Sequence, residues 1–333
     1  MICRVLLVEK TGALSARLPE LFRGDVEAAC GPVGPAGFLE AVQEHEPRVA
    51  LVEIDGPSPD VQRAIEAVMA DQPVPVLLVV QSSAQRPAAI AMLAAGALDV
   101  FELPARVDAS VLAALRRQLL LLSKVSVVKH PRGRRRKTAS RIIALKPAYP
   151  VVAIAASLGG PRALAELLGG VPAGFGAPIV VCQHITPGFS DDLAKWLSAE
   201  TGLRVHEATD GQSLVKGEVF IAPAHLHMQV TPGGTLKLDD GPPVGGFKPA
   251  CDVLLRSVAH AFGPRAVGVV LTGMGKDGAK GLREIRARGG HTVAQDEASC
   301  VVFGMPKEAI AAGAVERVLP LGQIAAQLAR WVS

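Results

Sequence analysis

The chain has 333 residues, 49% of them hydrophobic, which is enough for two domains of ordinary size with buried cores. It contains no apolar run of about 18 residues and no signal-peptide pattern, so we expect a cytoplasmic protein without membrane insertion. Its five cysteines are scattered and form no C-x-x-C pair, which argues against a disulfide framework and a structural zinc site.

The net charge of +4 comes from one segment. Residues 124–146 include nine Lys or Arg and no acid, while the rest of the chain has 26 basic and 31 acidic residues. A basic run of this kind can bind nucleic acid, but this one has no aromatic residue that could stack on bases. We therefore interpret 123–148 as a basic flexible linker and expect no nucleic-acid partner.

Residues 1–122 alternate short apolar runs with amphipathic ones. The pattern predicts strands at 2–8, 26–30, 49–54, 74–80 and 97–101, and helices near 14–22, 36–45, 59–71, 86–95 and 108–122. Five strand–helix units in succession indicate an α/β domain with a doubly wound parallel sheet.

This spacing resembles a response-regulator receiver domain, of the flavodoxin type, over nearly all of 1–122. The chemistry of that family is largely missing. Its acidic pair after the first strand is reduced to Glu9, which Lys10 follows. Its phosphoryl-accepting Asp aligns with Glu53, its Ser/Thr with Val80, and its Lys with Leu103. The resemblance therefore implies the fold and not the phosphorylation.

A shift of register by two residues would put Asp55 in the acceptor position. Such a shift would not restore the missing hydroxyl and ammonium groups. Magnesium needs clustered oxygen ligands, and Lys10 would repel it. We therefore expect no metal and no phosphorylation in this half, with Lys10 paired to Glu9 or Glu53.

From residue 149 the pattern is again α/β and predicts a second, Rossmann-like parallel sheet. Ser190 is a plausible N-cap, with Asp191 and Asp192 in the first turn of its helix. The predicted strands are 151–156, 178–182, 205–207, 218–222, 266–271 and 292–294, with a hairpin over 225–238. The predicted helices are 162–168, one from 190, one from 252, one around 282–285, 306–312 and 324–331.

Ser157 lies at a sharp turn between a strand and a helix, beside Gly159 and Gly160. Such a turn exposes the side-chain oxygen and directs free backbone N–H groups into the same space, as a serine nucleophile with an oxyanion site requires. The G-x-S-x-G pattern is incomplete, because Ala155 takes the first glycine position. A glycine-rich turn can also bind a phosphate or be a tight turn only.

Three strongly predicted strands end near Ser157, His184 and Asp277. The carboxyl ends of parallel strands share one edge of a sheet, so these side chains can meet in one cleft as nucleophile, base and orienting carboxylate. Two plainer interpretations stay open: His184 is a hydrogen-bonded residue at a strand end, and Asp277 caps the helix that follows it. The alternating His225 and His227 face opposite sides and make a poor metal pair.

Several blocks in this half resemble the catalytic domain of the chemotaxis methylesterase family, the CheB proteins. They are residues 156–160, 183–184, 221–223, 248–249, 271–278 and 294–306, and the resemblance covers all of 149–333. It implies that Ser157 is the nucleophile, His184 the base and Asp277 the orienting acid. The backbone N–H groups of Leu158 and Met274 would hold the oxyanion. In this family Thr is usual at the position of Leu158, and His-Met-Pro where this chain has His184 followed by Ile and Thr.

The resemblance implies a serine-type hydrolase that removes methyl groups from glutamyl esters on chemoreceptor cytoplasmic helices and also deamidates glutamines there. It implies no metal or organic cofactor, and a chemotaxis histidine kinase or pathway scaffold as further partners. We expect the rate to follow a group titrating near neutral pH, which is His184. One alternative is a catalytically weak signalling module that docks on receptors. Another is a nucleotide-binding protein, which would need a ribose-binding acid near 177–182, where the sequence has none.

Overall fold

The computed structural model describes residues 2–125, 127 and 149–332. The chain divides into two compact units, residues 1–132 and 133–333. Most of the predicted linker, 123–148, lies outside the described residues, so the domain boundaries 1–122 and 149–333 stay a prediction. Within the described residues, no helix is long and apolar enough to cross a membrane.

The N-terminal unit contains a five-stranded parallel sheet with the order β2-β1-β3-β4-β5, the doubly wound arrangement that the strand–helix alternation predicts. Its strands are β1 (Cys3–Val8), β2 (Val26–Ala28), β3 (Val49–Glu53), β4 (Val76–Val80) and β5 (Asp99–Glu102). Its helices are α1 (Ala13–Arg17), α2 (Phe38–His45), α3 (Pro59–Asp71), α4 (Arg86–Ala95) and α5 (Ala109–Leu122), with short 3₁₀ helices at Pro35–Gly37 and Ser83–Gln85.

Local sequence explains where these elements begin and end. The central strands β3 and β4 are buried along their whole length, as continuous Val/Leu runs require. Asp108 caps α5 by accepting hydrogen bonds from the N–H groups of Ser110 and Val111. The predicted extension of α1 to residue 22 is wrong, because Pro19 disfavours helical backbone at Leu18 and the helix ends at Arg17.

The C-terminal unit contains a seven-stranded parallel sheet with the order β14-β13-β12-β6-β7-β9-β8 and a separate antiparallel hairpin, β10-β11. The strands are β6 (Val151–Ala156), β7 (Ile179–Gln183), β8 (Arg204–Glu207), β9 (Glu218–Ile221), β10 (His227–Val230), β11 (Leu236–Asp239), β12 (Ala266–Val270), β13 (His291–Gln295) and β14 (Arg317–Leu319). The helices are α6 (Gly160–Gly169), α7 (Ser190–Thr201), α8 (Cys251–Phe262), α9 (Ala279–Ala287), α10 (Met305–Ala311) and α11 (Leu321–Val332), with a 3₁₀ helix at Gly263–Arg265.

Two features of this unit differ from the expectations. Ser190 is the first residue of α7 rather than its N-cap; its hydroxyl donates to Glu207 and accepts from the N–H of Ala224. The hydroxyl is thus engaged by two distant elements and not by the first N–H groups of its own helix. The short edge strand β14 was not predicted, because two of its three residues are exposed and it lacks a buried apolar run.

The arrangement of β12, β6 and β7 positions the site. These three strands are neighbours, in the register Val270↔Ala155 and Ala155↔Cys182, so they end at the same level of the sheet. Helices α8 and α9 pack close to β12, because Gly268 has no side chain: a Cβ there would lie 2.5 Å from Leu282 Cδ1.

Candidate active site

Ser157 lies directly after β6, in a turn that several backbone hydrogen bonds fix. Its N–H donates to Thr272 O at 3.1 Å, and its carbonyl accepts from Gly160 N at 2.8 Å. Gly159 has φ +74°, and a Cβ there would lie 2.8 Å from Val301 Cβ. The turn thus requires glycine for its backbone conformation and for close packing. Ser157 therefore lies at the end of the strand and is nearly buried, with 9% of the residue exposed.

Two backbone N–H groups beside this serine are free to hold an oxyanion. Among the described residues, neither Leu158 N nor Met274 N donates a hydrogen bond. The loop that carries Met274 approaches the serine closely, because a Cβ on Gly273 would lie 2.7 Å from Ser157 Cβ. Free N–H groups that are fixed before the reaction stabilise negative charge most effectively.

His184 and Asp277 form a direct pair, with Nε2 of the imidazole 2.9 Å from Asp277 Oδ2. Both side chains are nearly buried, at 11% and 6% exposure. Nδ1 of His184 is also buried and has no hydrogen-bond partner among the described residues. The ring of Phe247 lies against the imidazole in a parallel stack, with centroids 4.2 Å apart. The imidazole is therefore oriented through one nitrogen, and the other nitrogen is available as a base.

The environment shifts the pKa values of this pair in opposite directions. Burial lowers the pKa of His184, but the Cys251 sulfur and the Asp277 carboxylate raise it, and the balance is a raised pKa. Burial raises the pKa of Cys251 well above its usual value, so its thiol is neutral near pH 7 and Asp277 is the charge that stabilises the imidazolium. Burial raises the pKa of Asp277 too, but the hydrogen bond from His184 and two backbone donors lower it overall.

Asp277 does not cap the helix that follows it, so that interpretation is wrong. It caps α8 instead, accepting from the N–H groups of Cys251 at 2.7 Å and Asp252 at 2.9 Å. The following helix, α9, is capped by Asp252, whose Oδ1 accepts from Gly278 N at 3.0 Å and Gly281 N at 2.8 Å. The two helices thus cap each other through one carboxylate each. This arrangement holds Asp277 rigidly in front of His184.

Sequence reasoning missed Gln183 as a supporting residue. Its side-chain N–H groups donate to the carbonyls of Ser157 at 2.8 Å and His184 at 2.7 Å. Its Oε1 lies where a Cβ on Gly160 would be, only 1.8 Å away, so that glycine is needed for the contact. The amide thereby ties the end of β7 to the turn after β6. The only signal in the sequence was the position of Gln183 beside a candidate histidine.

Thr272 and Gln295 support the same turn from the other side. The Thr272 hydroxyl donates to Leu158 O at 3.0 Å and accepts from Val302 N at 2.9 Å. The Gln295 side chain accepts from Thr272 N at 2.8 Å. These contacts explain why the resemblance extends over residues 294–306, which contain no residue of the proposed triad.

In the N-terminal unit, Glu53 is the last residue of β3, and Asp55 is exposed beyond the strand, so the shifted register is not adopted. The buried Glu53 carboxylate accepts from Gln81 Nε2 at 3.2 Å and Thr11 Oγ1 at 3.3 Å. The aligned positions Val80 and Leu103 are fully buried in the core. This carboxylate is therefore already engaged by neutral donors.

The predicted pairing of Lys10 is wrong. Its ammonium donates to Ser58 Oγ at 2.7 Å rather than to Glu9 or Glu53. Glu9 is buried and instead accepts from the N–H groups of Leu14 and Ser15, at the start of α1. A carboxylate used as a helix cap needs no lysine partner.

Comparison with known proteins agrees with this architecture. A family model described as CheB methylesterase matches residues 152–328. The protein-glutamate methylesterase FrzG of Myxococcus xanthus is 49% identical, over 100% of this chain and 99% of that protein. A protein-glutamate methylesterase/protein-glutamine glutaminase of Anaeromyxobacter dehalogenans is 45% identical, over 84% of this chain and 81% of that protein.

Among solved structures, the CheB methylesterase catalytic domain of Thermotoga maritima is 39% identical, with a TM-score of 0.54. The match covers 56% of this chain and 100% of that domain. The sequence blocks, the parallel sheet and the full-length relative agree: this chain belongs to the CheB methylesterase family of hydrolases.

Proposed function

We propose that this protein hydrolyses glutamyl methyl esters on the cytoplasmic helices of methyl-accepting chemotaxis receptors, with Ser157 as nucleophile. The observation that carries this assignment is the state of His184: Asp277 holds Nε2 at 2.9 Å, while Nδ1 is buried and has no partner within the described part of the chain. A buried imidazole nitrogen with no partner destabilises the fold, and a role in catalysis explains why it is kept. It lies at the end of β7, the strand next to the one that ends before Ser157.

The reaction follows from these positions. Ser157 Oγ attacks the ester carbonyl as Nδ1 of His184 takes its proton, and Asp277 stabilises the imidazolium. The N–H groups of Leu158 and Met274 bind the oxyanion. Methanol then leaves with the proton from Nδ1, and a water molecule that passes its proton to the same nitrogen releases the glutamate. A primary amide can follow the same steps and lose ammonia, so glutamine deamidation is part of the proposal.

The departure at Leu158 leaves this chemistry intact. An oxyanion is held by the backbone N–H, which every residue except proline supplies, and here that N–H is free among the described residues. The lost hydroxyl changes only the side chain at the mouth of the site. The alternative of a catalytically weak docking module is therefore not favoured.

The test is the variant Ser157→Ala. We expect it to lose methanol release from methylated receptor by about 10⁴-fold or more, because the covalent intermediate cannot form. A fluorophosphonate probe should label the wild type and not the variant. Ser198→Ala, which removes a half-buried hydroxyl from α7, is the matched control and should retain both properties. Wild-type methanol release by Ser157→Ala would refute the assignment.

The proposal extends to the N-terminal unit, which we expect to act as a docking platform, for a histidine kinase or a pathway scaffold, and not as a phosphorylation switch. Support comes from Glu53, whose carboxylate accepts hydrogen bonds from Gln81 and Thr11. Arg17 donates to the Gln81 side chain and to the carbonyl of Pro104, so this network continues past the strand ends. No aspartate, hydroxyl or lysine occupies the three aligned positions.

A further inference from the structure

Two cysteines that are far apart in the sequence meet behind the His184–Asp277 pair. Cys182 is the penultimate residue of β7, and Cys251 is the first residue of α8; both are fully buried. Cys182 and His184 are two positions apart along an extended segment, which places their side chains on the same face. The two sulfur atoms and one imidazole nitrogen lie within 4.8 Å of one another.

The spacing of these atoms approaches that of a tetrahedral zinc site. Bonds of about 2.3 Å to sulfur and about 2.0 Å to nitrogen put those two ligand atoms about 3.5 Å apart. Cys251 Sγ lies 3.5 Å from His184 Nε2. Asp277 Oδ2 lies 2.9 Å from the same nitrogen and also accepts from Cys251 N, so we include it as the fourth ligand. Two thiolates, an imidazole and a carboxylate form a donor set that suits zinc and the related soft divalent cations.

We propose that Cys182, Cys251, His184 and Asp277 form an inhibitory site for a zinc-type divalent cation. No cation takes part in the proposed reaction. A cation bound at this site would inhibit that reaction. The inhibitory effect rests on the proposed function, whereas the binding of the cation does not.

The proton balance explains why a divalent cation suits this cluster and why its binding inhibits the reaction. In the catalytically competent form, before binding, the cluster consists of the Asp277 carboxylate, a neutral imidazole and two neutral thiols. On binding, both thiol protons leave to solvent, and the two new thiolates match the two charges of the cation, so the buried net charge does not change. The imidazole proton moves from Nε2 to Nδ1. Nδ1, the nitrogen that should accept the proton of Ser157, is then already protonated.

The site is covered on the outer side by one aromatic ring. Phe247 stacks on His184 and is half-buried, and it follows the exposed residues 242–246. Because the thiols must lose protons, binding should weaken as the pH falls.

The binding test uses Cd²⁺ and Co²⁺ on the full chain. We expect one Cd²⁺ per chain with an ultraviolet thiolate charge-transfer band, and a release of protons from the two thiols in weakly buffered solution. Co²⁺ should give the intense visible bands of tetrahedral coordination. Cys182→Ala and Cys251→Ala should each lose the charge-transfer band. Cys30→Ala, which removes a half-buried cysteine of the N-terminal unit, should keep it. A band that survives both site variants, or no band in the wild type, would overturn the proposal.

The activity test uses Zn²⁺ and methanol release. Saturating Zn²⁺ should lower the wild-type rate by about 100-fold or more, as expected when a general base is blocked, and a chelator should restore it. Cys182→Ala should hydrolyse the ester and resist Zn²⁺. Full activity in the cation-loaded wild type would refute the inhibition. If the chain binds Cd²⁺ through both cysteines but hydrolyses no ester, the proposed function fails and the cation site stands.

Discussion

At the scale of single residues, the buried imidazole of His184 is the group that, in the proposed mechanism, sets how the reaction depends on pH. The residue type alone suggests a group that titrates near neutral pH. The structure moves the pKa of His184 upward, because burial lowers it but the Cys251 sulfur and the Asp277 carboxylate together outweigh burial. An imidazole is a base only after it has lost its own proton, so its raised pKa sets the lower limit of the active pH range.

We therefore predict that kcat/KM rises with pH along a limb centred above about 6.5, the ordinary histidine value. The measurement is a pH–rate profile of methanol release with a chelator present. Asp277→Asn should slow the reaction and move the limb to lower pH, because the amide cannot stabilise the charged ring. A limb centred at or below the ordinary value, or a profile that Asp277→Asn leaves unchanged, would contradict the assignment of His184.

At the scale of secondary-structure elements, the exchange of caps between α8 and α9 links stability to the site. Asp277 accepts from the first N–H groups of α8, and Asp252 accepts from those of α9. Burial raises the pKa of Asp252. Its contribution to stability is therefore complete below the unfolded-state pKa and falls as the pH rises through the folded-state pKa. At neutral pH Asp252 therefore stabilises the fold through its hydrogen bonds and not through its charge.

We predict that Asp252→Ala lowers the free energy of unfolding of the C-terminal unit by about 1–3 kcal/mol, because it leaves two buried N–H groups without an acceptor. Asp252→Asn should cost less, since its Oδ1 can still accept from Gly278 and Gly281. Urea unfolding followed by tryptophan fluorescence tests this, because both tryptophans, Trp196 and Trp331, lie in the C-terminal unit.

The matched comparison is Asp277→Asn, which should lose esterase rate as well as stability. Asp252→Asn should keep the rate, because the His184–Asp277 pair remains. Equal stability losses for Asp252→Ala and Asp252→Asn would show that the charge, and not the capping, matters.

At the scale of the whole molecule, the chain combines a methylesterase unit with a receiver-like sheet that lacks the receiver's reactive groups. Glu53 ends β3 and has its carboxylate occupied, and Val80 and Leu103 are packed in the core. This carboxylate is one methylene longer than that of aspartate, and the aligned hydroxyl and ammonium positions hold the buried Val80 and Leu103, so little is left to stabilise a phosphoryl group.

We predict that acetyl phosphate with magnesium, or a purified partner kinase, incorporates no phosphate and does not change the esterase rate. Incorporated phosphate or a several-fold rise in rate would contradict this. Asp55→Asn would then show whether the exposed Asp55 is the acceptor. Deletion of residues 1–122 separates the two roles that remain for this unit: a faster truncated enzyme means that the unit covers the site, and an unchanged rate means that it is a docking platform.

The sequence by itself determined the two parallel sheets and the edge of the sheet at which the proposed site residues lie. Runs such as β4 and β6 are apolar throughout, which is typical of strands buried on both faces, and in parallel strands the carboxyl ends share one edge. That was enough to bring Ser157, His184 and Asp277 to neighbouring strands.

Only the tertiary structure decided how those side chains are used. In the structure Asp277 pairs with Nε2 of His184 and caps α8 rather than α9. Lys10 donates to Ser58, and Cys182 lies beside Cys251. The physical reason is common to all four. Each contact joins residues between 26 and 93 positions apart in the chain. A side-chain donor or acceptor has several local partners of similar energy until packing brings one distant group into contact.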